Sequence, residues 1–410
     1  MKESFSIGGI SAKQLADEYG LPLYVYDGGI IKRQFQRMQK AFDVPELRIN
    51  YALKALSNVS ILRYMNHLGS CLDAVSMGEV QLGLHAGFNR DRIMYTPNMV
   101  ALEEIRQVKA MGIPMNIDNI EMLEALGHEF ENLEIGIRVN PHVMAGGNQK
   151  ISVGHIDSKF GISFHQMPLV RRLTDNLGIR IKGVHMHTGS DILDVGVFLQ
   201  AAEILLNVAK EFPDLEYIDF GSGFKVKYKP EDYETDIEEF GKELGKRFRK
   251  FCKEYGRELT LVFEPGKFLV SESGYFLVRT NLIKQTTSTV FAGVDSGFQH
   301  LGRPMMYGSH HEIENISNPE GKPRLYTVVG YICETDTFAY NRKIPQIQVG
   351  DILCMRNAGA YCFSMASHYN SRLLPAEVLV LDGKSYLIRE REKFEDLLIH
   401  QTDPSLSFND

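Results

Sequence analysis

The sequence predicts a mixed α/β fold: a (β/α)8 barrel of the TIM type joined to a second, β-rich domain. Two observations predict it. After residue 45, eight short apolar runs alternate with stretches of helical periodicity, near 47–53, 71–75, 92–95, 113–117, 133–139, 182–187, 216–220 and 259–263. Beyond about residue 275 the texture changes to strand-like runs with little helix between them. Parallel strands need long crossovers, and helices that serve as crossovers cover the sheet. Eight such alternations favour a closed barrel over an open doubly wound sheet.

In chain order, the run Leu23-Tyr24-Val25-Tyr26 comes before the barrel and suits an added strand of the β-rich domain. The first barrel run is Leu47-Arg48-Ile49-Asn50-Tyr51-Ala52-Leu53-Lys54, ending on a lysine. Residues 200–212 and 237–255 are two of the covering helices. Strand-like runs at 278–284, 289–294, 325–333, 351–356 and 376–381 make up the second domain. The expected division is a barrel over 31–275 and a β-rich domain from 1–30 together with 276–410.

The 410 residues are too many for one compact core, and 44% hydrophobic with 24% charged residues is ordinary for a globular enzyme. A net charge of −7 leaves no footprint for nucleic acid or an anionic membrane. No run approaches the ~18 apolar residues of a membrane span, and Met1-Lys2-Glu3-Ser4-Phe5-Ser6 lacks the apolar core of a secretory signal. Five cysteines without metal-ligand spacing read as free thiols in a reducing compartment. The expected location is therefore cytoplasmic, and no metal is expected.

In a barrel of this kind the site is built from the C-terminal strand ends and the loops after them. Those ends read Lys54, Asp73, Asn98, Asp118, Arg138, His187, Gly221-Ser222-Gly223 and Glu264. Burying the Lys54 ammonium disfavours its charge, and lysines so placed serve as Schiff-base formers. His185 and His187 are two apart, so on a strand both face one side. They read as a metal pair, as core histidines, or, the reading preferred for His187, as a ring packed on a planar cofactor. The Gly221 to Gly223 turn suits a phosphate and stops short of the dinucleotide fingerprint. Glu264 closes an apolar run, where it pairs either with a protonated pyridine nitrogen or with Arg138 or a lysine.

Cys333 ends an apolar run and is followed by Glu334 and Asp336. A cysteine so placed is commonly a small buried hydrophobe, but the carboxylates after it favour a polar site where a thiol delivers a proton. Tyr361 offers a phenol on a turn. Arg303 and Tyr307 suit a bidentate clamp on a carboxylate.

Taken in order, eight motifs resemble the alanine-racemase-fold, pyridoxal-phosphate-dependent basic amino-acid decarboxylases, most closely the branch that acts on diaminopimelate. They are Tyr51-Ala52-Leu53-Lys54-Ala55, Ser158-Lys159-Phe160-Gly161, His187-Thr188-Gly189-Ser190, Gly221-Ser222-Gly223, Glu264-Pro265-Gly266, Arg303-Pro304, Cys333-Glu334 and Gly359-Ala360-Tyr361. The resemblance covers nearly the whole chain. It implies pyridoxal 5'-phosphate held covalently on Lys54, with His187 stacked on its ring and Glu264 at its nitrogen. It implies a phosphate held by Ser190, Gly221, Ser222, Gly223, the amides around Gly266, and Tyr361, with Asp73, Arg138 and Lys267 also lining the cofactor. It assigns the substrate to Arg303, Tyr307, Glu334, Tyr361 and Lys267.

Cys333 and Glu334 would reach the site of a partner subunit in a homodimer, with Cys333 or Lys54 reprotonating the substrate carbon. The implied reaction is meso-2,6-diaminopimelate to L-lysine and CO2, the last step of lysine biosynthesis. Decarboxylation of ornithine, arginine or carboxynorspermidine is the alternative. Three positions depart from the family pattern: Ser222 replaces a glycine, Lys267 an arginine, and Asp336 is displaced by one residue.

Overall fold

A computed structural model of the chain describes residues 5–143, 157–189, 194–402 and 404. It divides into two compact units, one of Gly29–Ser273 with Gly359–Ser364, the other of Met1–Gly28, Gly274–Ala358 and Met365–Asp410.

The first unit is built on eight parallel strands: Leu47–Ala52, Cys71–Ala74, Ile93–Tyr95, Asn116–Ile117, Glu134–Asn140, Arg180–His185, Tyr217–Asp219 and Thr260–Phe263. The last pairs with the first, with Leu261 opposite Leu47 and Phe263 opposite Ile49. A parallel bridge between Tyr95 and Met115, and the Tyr95 N–H donated to Pro114 O at 2.9 Å, join the third strand to the fourth. The ring is therefore closed, as the alternating runs predict.

Two strand ends differ from expectation for local reasons. The fourth strand is only Asn116–Ile117, because Pro114 in the run 113–117 has no N–H to give a ladder. The sixth ends at His185 and does not reach His187. Beyond it, Met186 and His187 pack against a glycine turn. Gly221 has φ +66°, and a Cβ there would lie 2.3 Å from Met186 O and 2.9 Å from His187 Nδ1.

The covering helices follow from side-chain spacing and caps. Ile237–Tyr255 buries Ile237, Phe240, Leu244, Phe248 and Phe251, three or four residues apart. Asp236 caps its start by accepting the Glu239 N–H, and Gly256 at φ +83° ends it. Phe240 meets Phe42 edge-on at 5.9 Å and Phe263 of the last strand at 6.0 Å. Burying a phenylalanine this way stabilises by roughly 2–3 kcal/mol.

The second unit is a sheet ordered Thr337–Pro345, Pro323–Val329, Val290–Val294, Gly274–Gln285, Leu23–Asp27, Ala376–Leu381 and Lys384–Arg389. Ile352–Met355 pairs with Gly274–Gln285 and also with Ile313–Asn315. Leu23–Asp27 is an interior strand here, so its four buried residues Leu23 to Tyr26 carry no polar alternation. The unanticipated strands include both ends of the sheet, Thr337–Pro345 and Lys384–Arg389. Their basic, partly exposed residues hide the strand period, as charged edges do.

The run 325–333 is corrected: its strand stops at Val329. The chain then folds over Asp336, whose backbone O accepts the Gly330 N–H at 2.9 Å and whose Oδ2 accepts the Ile332 N–H at 3.4 Å. A Cβ on Gly330 would lie 1.9 Å from that Oδ2. Cys333 is thus an exposed loop residue and does not terminate a strand.

Candidate active site

The first barrel strand ends at Ala52, and a single helical turn, Leu53–Ala55, lifts Lys54 out of the ladder. Tyr361 N–H donates to Ala55 O at 2.9 Å, and Ser364 Oγ to the same oxygen at 3.2 Å. These bonds secure the turn. Lys54 Nζ then reaches Asp73 Oδ2 on the second strand, 2.8 Å away.

A cavity of about 360 Å³ opens at this end of the barrel. Lys54, Asp73, Arg138, His187, Ser222, Gly223, Glu264, Gly266, Lys267 and Tyr361 line it. Most of the barrel residues singled out from the sequence therefore share one space. Gly221 stands just behind it in the turn, and Ser190 lies outside the described residues. Arg303, Tyr307, Cys333 and Glu334 belong to the second unit.

The electrostatics differ from expectation at Lys54. Burial pulls its pKa down, but Asp73, Tyr361 and Glu264 outweigh that and hold the ammonium above its ordinary range. The side chain keeps 40% exposure, so this is a charged amine at an accessible position. Asp73 is 1% exposed; burial and the nearby Glu264 push its carboxyl up, and Lys54 draws it back. An ammonium with a carboxylate at 2.8 Å is the resulting state.

His187 is held neutral. Burial, then Arg138 and Lys54, lower its pKa to about 3. Its Nδ1 accepts the Ser222 N–H at 3.2 Å, which puts the ring proton on Nε2. His187 is therefore not half of a metal pair with His185. His185 turns instead to Glu264, with Nε2 3.0 Å from Oε2. His185, Asp219 and Glu264 bring donor atoms within 4.8 Å of one another. Burial opposes the Glu264 charge, yet His185, bonded to it, and the Lys54 ammonium keep its carboxyl below the usual range.

Two of the three turn amides are engaged inside the protein. Gly221 N–H donates to Asp219 Oδ1 at 2.8 Å, and Ser222 N–H goes to His187. Gly266 supplies space: a Cβ there would stand 3.0 Å from Ala55 Cβ and 3.1 Å from Tyr361 Oη. Lys267 opens the short helix Lys267–Val270 and is 9% exposed.

Asn98, expected at a strand end, and His185, read as a metal ligand or a core histidine, also line the cavity, together with Thr96, Lys159 and Phe160, to which the sequence gives no individual site role. Arg138 lies over the Phe160 ring at 4.7 Å, and Lys159 O accepts from Asn98 Nδ2 at 3.0 Å. The available signal was Ser158-Lys159-Phe160-Gly161 itself, a polar motif with an aromatic inside it.

In the second unit, Arg303 opens the helix Arg303–Tyr307, with its guanidinium 5.8 Å from the Tyr307 ring centre and Nη2 donating to Ser309 Oγ at 3.3 Å. Cys333 Sγ accepts from Asn370 Nδ2 at 3.2 Å, and Tyr369 donates to Glu334 Oε1 at 2.8 Å.

Residues 29–271 match the pyridoxal binding domain of the pyridoxal-dependent decarboxylases. The chain is 42% identical to a diaminopimelate decarboxylase of Methanothermobacter thermautotrophicus, covering 97% of this chain and 96% of that one. It is 35% identical to the Escherichia coli diaminopimelate decarboxylase over 94% of each. A crystal structure of the Helicobacter pylori diaminopimelate decarboxylase complexed with L-lysine superposes with a TM-score of 0.87 at 31% identity, covering 94% of this chain and 98% of that one. The chain belongs to the pyridoxal-dependent decarboxylase family, among the diaminopimelate decarboxylases.

Proposed function

We propose that the chain decarboxylates meso-2,6-diaminopimelate to L-lysine and CO2, with pyridoxal 5'-phosphate held covalently by Lys54. One observation carries this reading: Lys54, Asp73, His187 and Glu264 converge from separate barrel strands and loops on one cavity. Similarity over nearly the full length to diaminopimelate decarboxylases supports the same substrate.

The residues fit the cofactor. Asp73 Oδ1, Asn98 Oδ1 and Glu264 Oε1 are buried without a hydrogen-bond partner among the described residues, an arrangement that calls for a polar guest. Gly266 keeps clear a space that a single methyl would crowd. Bound pyridoxal phosphate supplies an electron-poor ring that accepts the electron pair released as the Cα–carboxylate bond breaks.

The chain's residues do the rest. Lys54 would hold the cofactor through its amine, at the position where a substrate amine would replace it. Neutral His187 would offer a flat, uncharged face to the ring, and ionised Glu264 would balance a proton on the ring nitrogen. Ser190, Gly223, the Ser222 hydroxyl, the segment at Gly266 and Tyr361 receive the phosphate. Arg303 and Tyr307 clamp a substrate carboxylate, and Lys267 adds a point charge.

We read the enzyme as a cytoplasmic homodimer in which Cys333 and Glu334 serve the partner's site. Lys54 or Cys333 returns a proton to Cα, and Glu334 reads the distal ammonium. No helix among the described residues is long and apolar enough to cross a membrane.

The test is a panel of meso-diaminopimelate, ornithine, arginine and carboxynorspermidine with the wild type and Lys54→Ala. Lysine and CO2 form from the first substrate only, and the variant forms neither. Preference for another substrate, or activity in Lys54→Ala, overturns the reading.

A further inference from the structure

His185 is fully buried, and the proposed chemistry does not use it. Its Nε2 stands 3.0 Å from Glu264 Oε2, while its Nδ1 has no partner among the described residues. An ionised carboxylate only accepts, so the imidazole carries its proton on Nε2 and donates. Asp219, also fully buried, accepts the Gly221 N–H on Oδ1 and lies within the same 4.8 Å cluster. Two carboxyl groups this close in a dry site do not both ionise. Burial and the neighbouring Glu264 push the Asp219 carboxyl well above its ordinary range. Glu264 is then the anion of the pair, joined to the Asp219 carboxyl by a side-chain hydrogen bond, and its Oε1 takes no bond from His185.

We propose that His185 is a positioning residue for Glu264. Its Nε2–H fixes Oε2, leaves Oε1 for the cofactor's ring nitrogen, and makes Glu264 rather than Asp219 the ionised member of the pair. The inference rests on the cavity being a pyridoxal phosphate site. Lys54, Asp73, Arg138 and His187 also face Glu264, and none of them is seen hydrogen-bonded to it. Without His185, the proton shared by two buried acids is free to settle on Glu264, which then cannot balance a charged ring nitrogen. The defect falls on the chemical step and on cofactor retention, and substrate binding is spared.

The test compares His185→Phe, which keeps a ring of similar volume without a donor, with His185→Gln, which keeps an N–H. Glu264→Gln and the His185→Phe/Glu264→Gln double variant complete a cycle. Four quantities are measured: kcat and KM, the pyridoxal phosphate dissociation constant, the pH profile of the bound cofactor's absorbance, and the unfolding temperature of the cofactor-free protein. Loss of one charge-assisted hydrogen bond should lower kcat roughly 10- to 100-fold and weaken cofactor binding about 10-fold. KM should stay within about threefold, since the lost contact acts in the chemical step.

His185→Gln should recover most of both losses and shift the absorbance profile less than His185→Phe. The double variant should be no worse than Glu264→Gln alone. Losses that multiply in the double variant overturn the proposal. So does a His185→Gln as impaired as His185→Phe, or a lowered unfolding temperature with kcat and the absorbance profile unchanged. If His185→Phe does not fold, His185→Leu replaces it in the same cycle. A wild type that binds no pyridoxal phosphate fails the underlying reading, whereas a cofactor-binding wild type with a silent His185→Phe fails this inference alone.

Discussion

Lys54 Nζ and Asp73 Oδ2 are 2.8 Å apart, and this contact decides the charge of the reactive amine. The acid sits on the neighbouring barrel strand, with Ala52 paired to Asp73 across the ladder. An amine attacks an aldehyde only when neutral, so Asp73 restrains Lys54 until a cofactor arrives. Asp73→Asn should lower the pH midpoint for reductive trapping of Lys54 with a small aldehyde, by roughly 1–2 units for loss of a charge within 4 Å. An unchanged midpoint removes Asp73 from this role.

Gly266 and Gly221 predict two separable defects. Gly266 has a negative φ of −108° and lacks room, with Ala52 Cβ 3.2 Å from the added methyl. Gly266→Ala should therefore push Ala55 and Tyr361 at the cavity wall and bind pyridoxal phosphate about 10-fold more weakly, with a smaller loss of stability than Gly221→Ala. Gly221→Ala meets Met186 O at 2.3 Å in a left-handed backbone and should lose stability itself, by roughly 2 kcal/mol or more. Urea unfolding and cofactor titration of both variants check the contrast. A stable Gly221→Ala contradicts it.

The barrel was legible because each of its strands is a short apolar run closed by a polar group, and the rim residues fall out of that punctuation. Pro114 and the glycine turn at Gly221 moved two strand ends, since missing amides and left-handed turns act below the resolution of hydrophobic period. Cys333 reads as the end of a strand because Val328 and Val329 continue in sequence through Gly330-Tyr331-Ile332, an unbroken apolar stretch. What ends the strand is Asp336, a buried acid further along the chain. Pairings such as His185 with Glu264, 79 residues apart, are set by strand order in the closed ring and have no local signal.

Asp336 organises the loop that carries Cys333 and Glu334. Burial raises its carboxyl pKa, and it accepts from the loop's backbone. Asp336→Ala should therefore impair decarboxylation at least 10-fold, with cofactor binding unchanged, if the loop serves a partner's site. Mixing Lys54→Ala with Cys333→Ala should restore about a quarter of wild-type activity, because random pairing makes half the dimers mixed and each holds one intact site. No recovery on mixing contradicts a shared site.

His187 gives a pH prediction with a definite sign. Its folded pKa of about 3 lies below the ordinary 6.5, because burial and the nearby Arg138 and Lys54 disfavour the imidazolium. Between those values the unfolded chain binds the extra proton, so the His187 contribution to stability is complete above pH 6.5 and is lost as pH falls toward 3. The loss is at most about 1.4 kcal/mol per pH unit within that window. His187→Phe removes the titrating group and keeps a ring. Between pH 7 and pH 5 the cofactor-free wild type should therefore lose roughly 1–2 kcal/mol more unfolding free energy than His187→Phe. Equal losses in the two proteins would show that His187 protonates freely in the folded state, and a charged ring there could not serve as the neutral face against the cofactor.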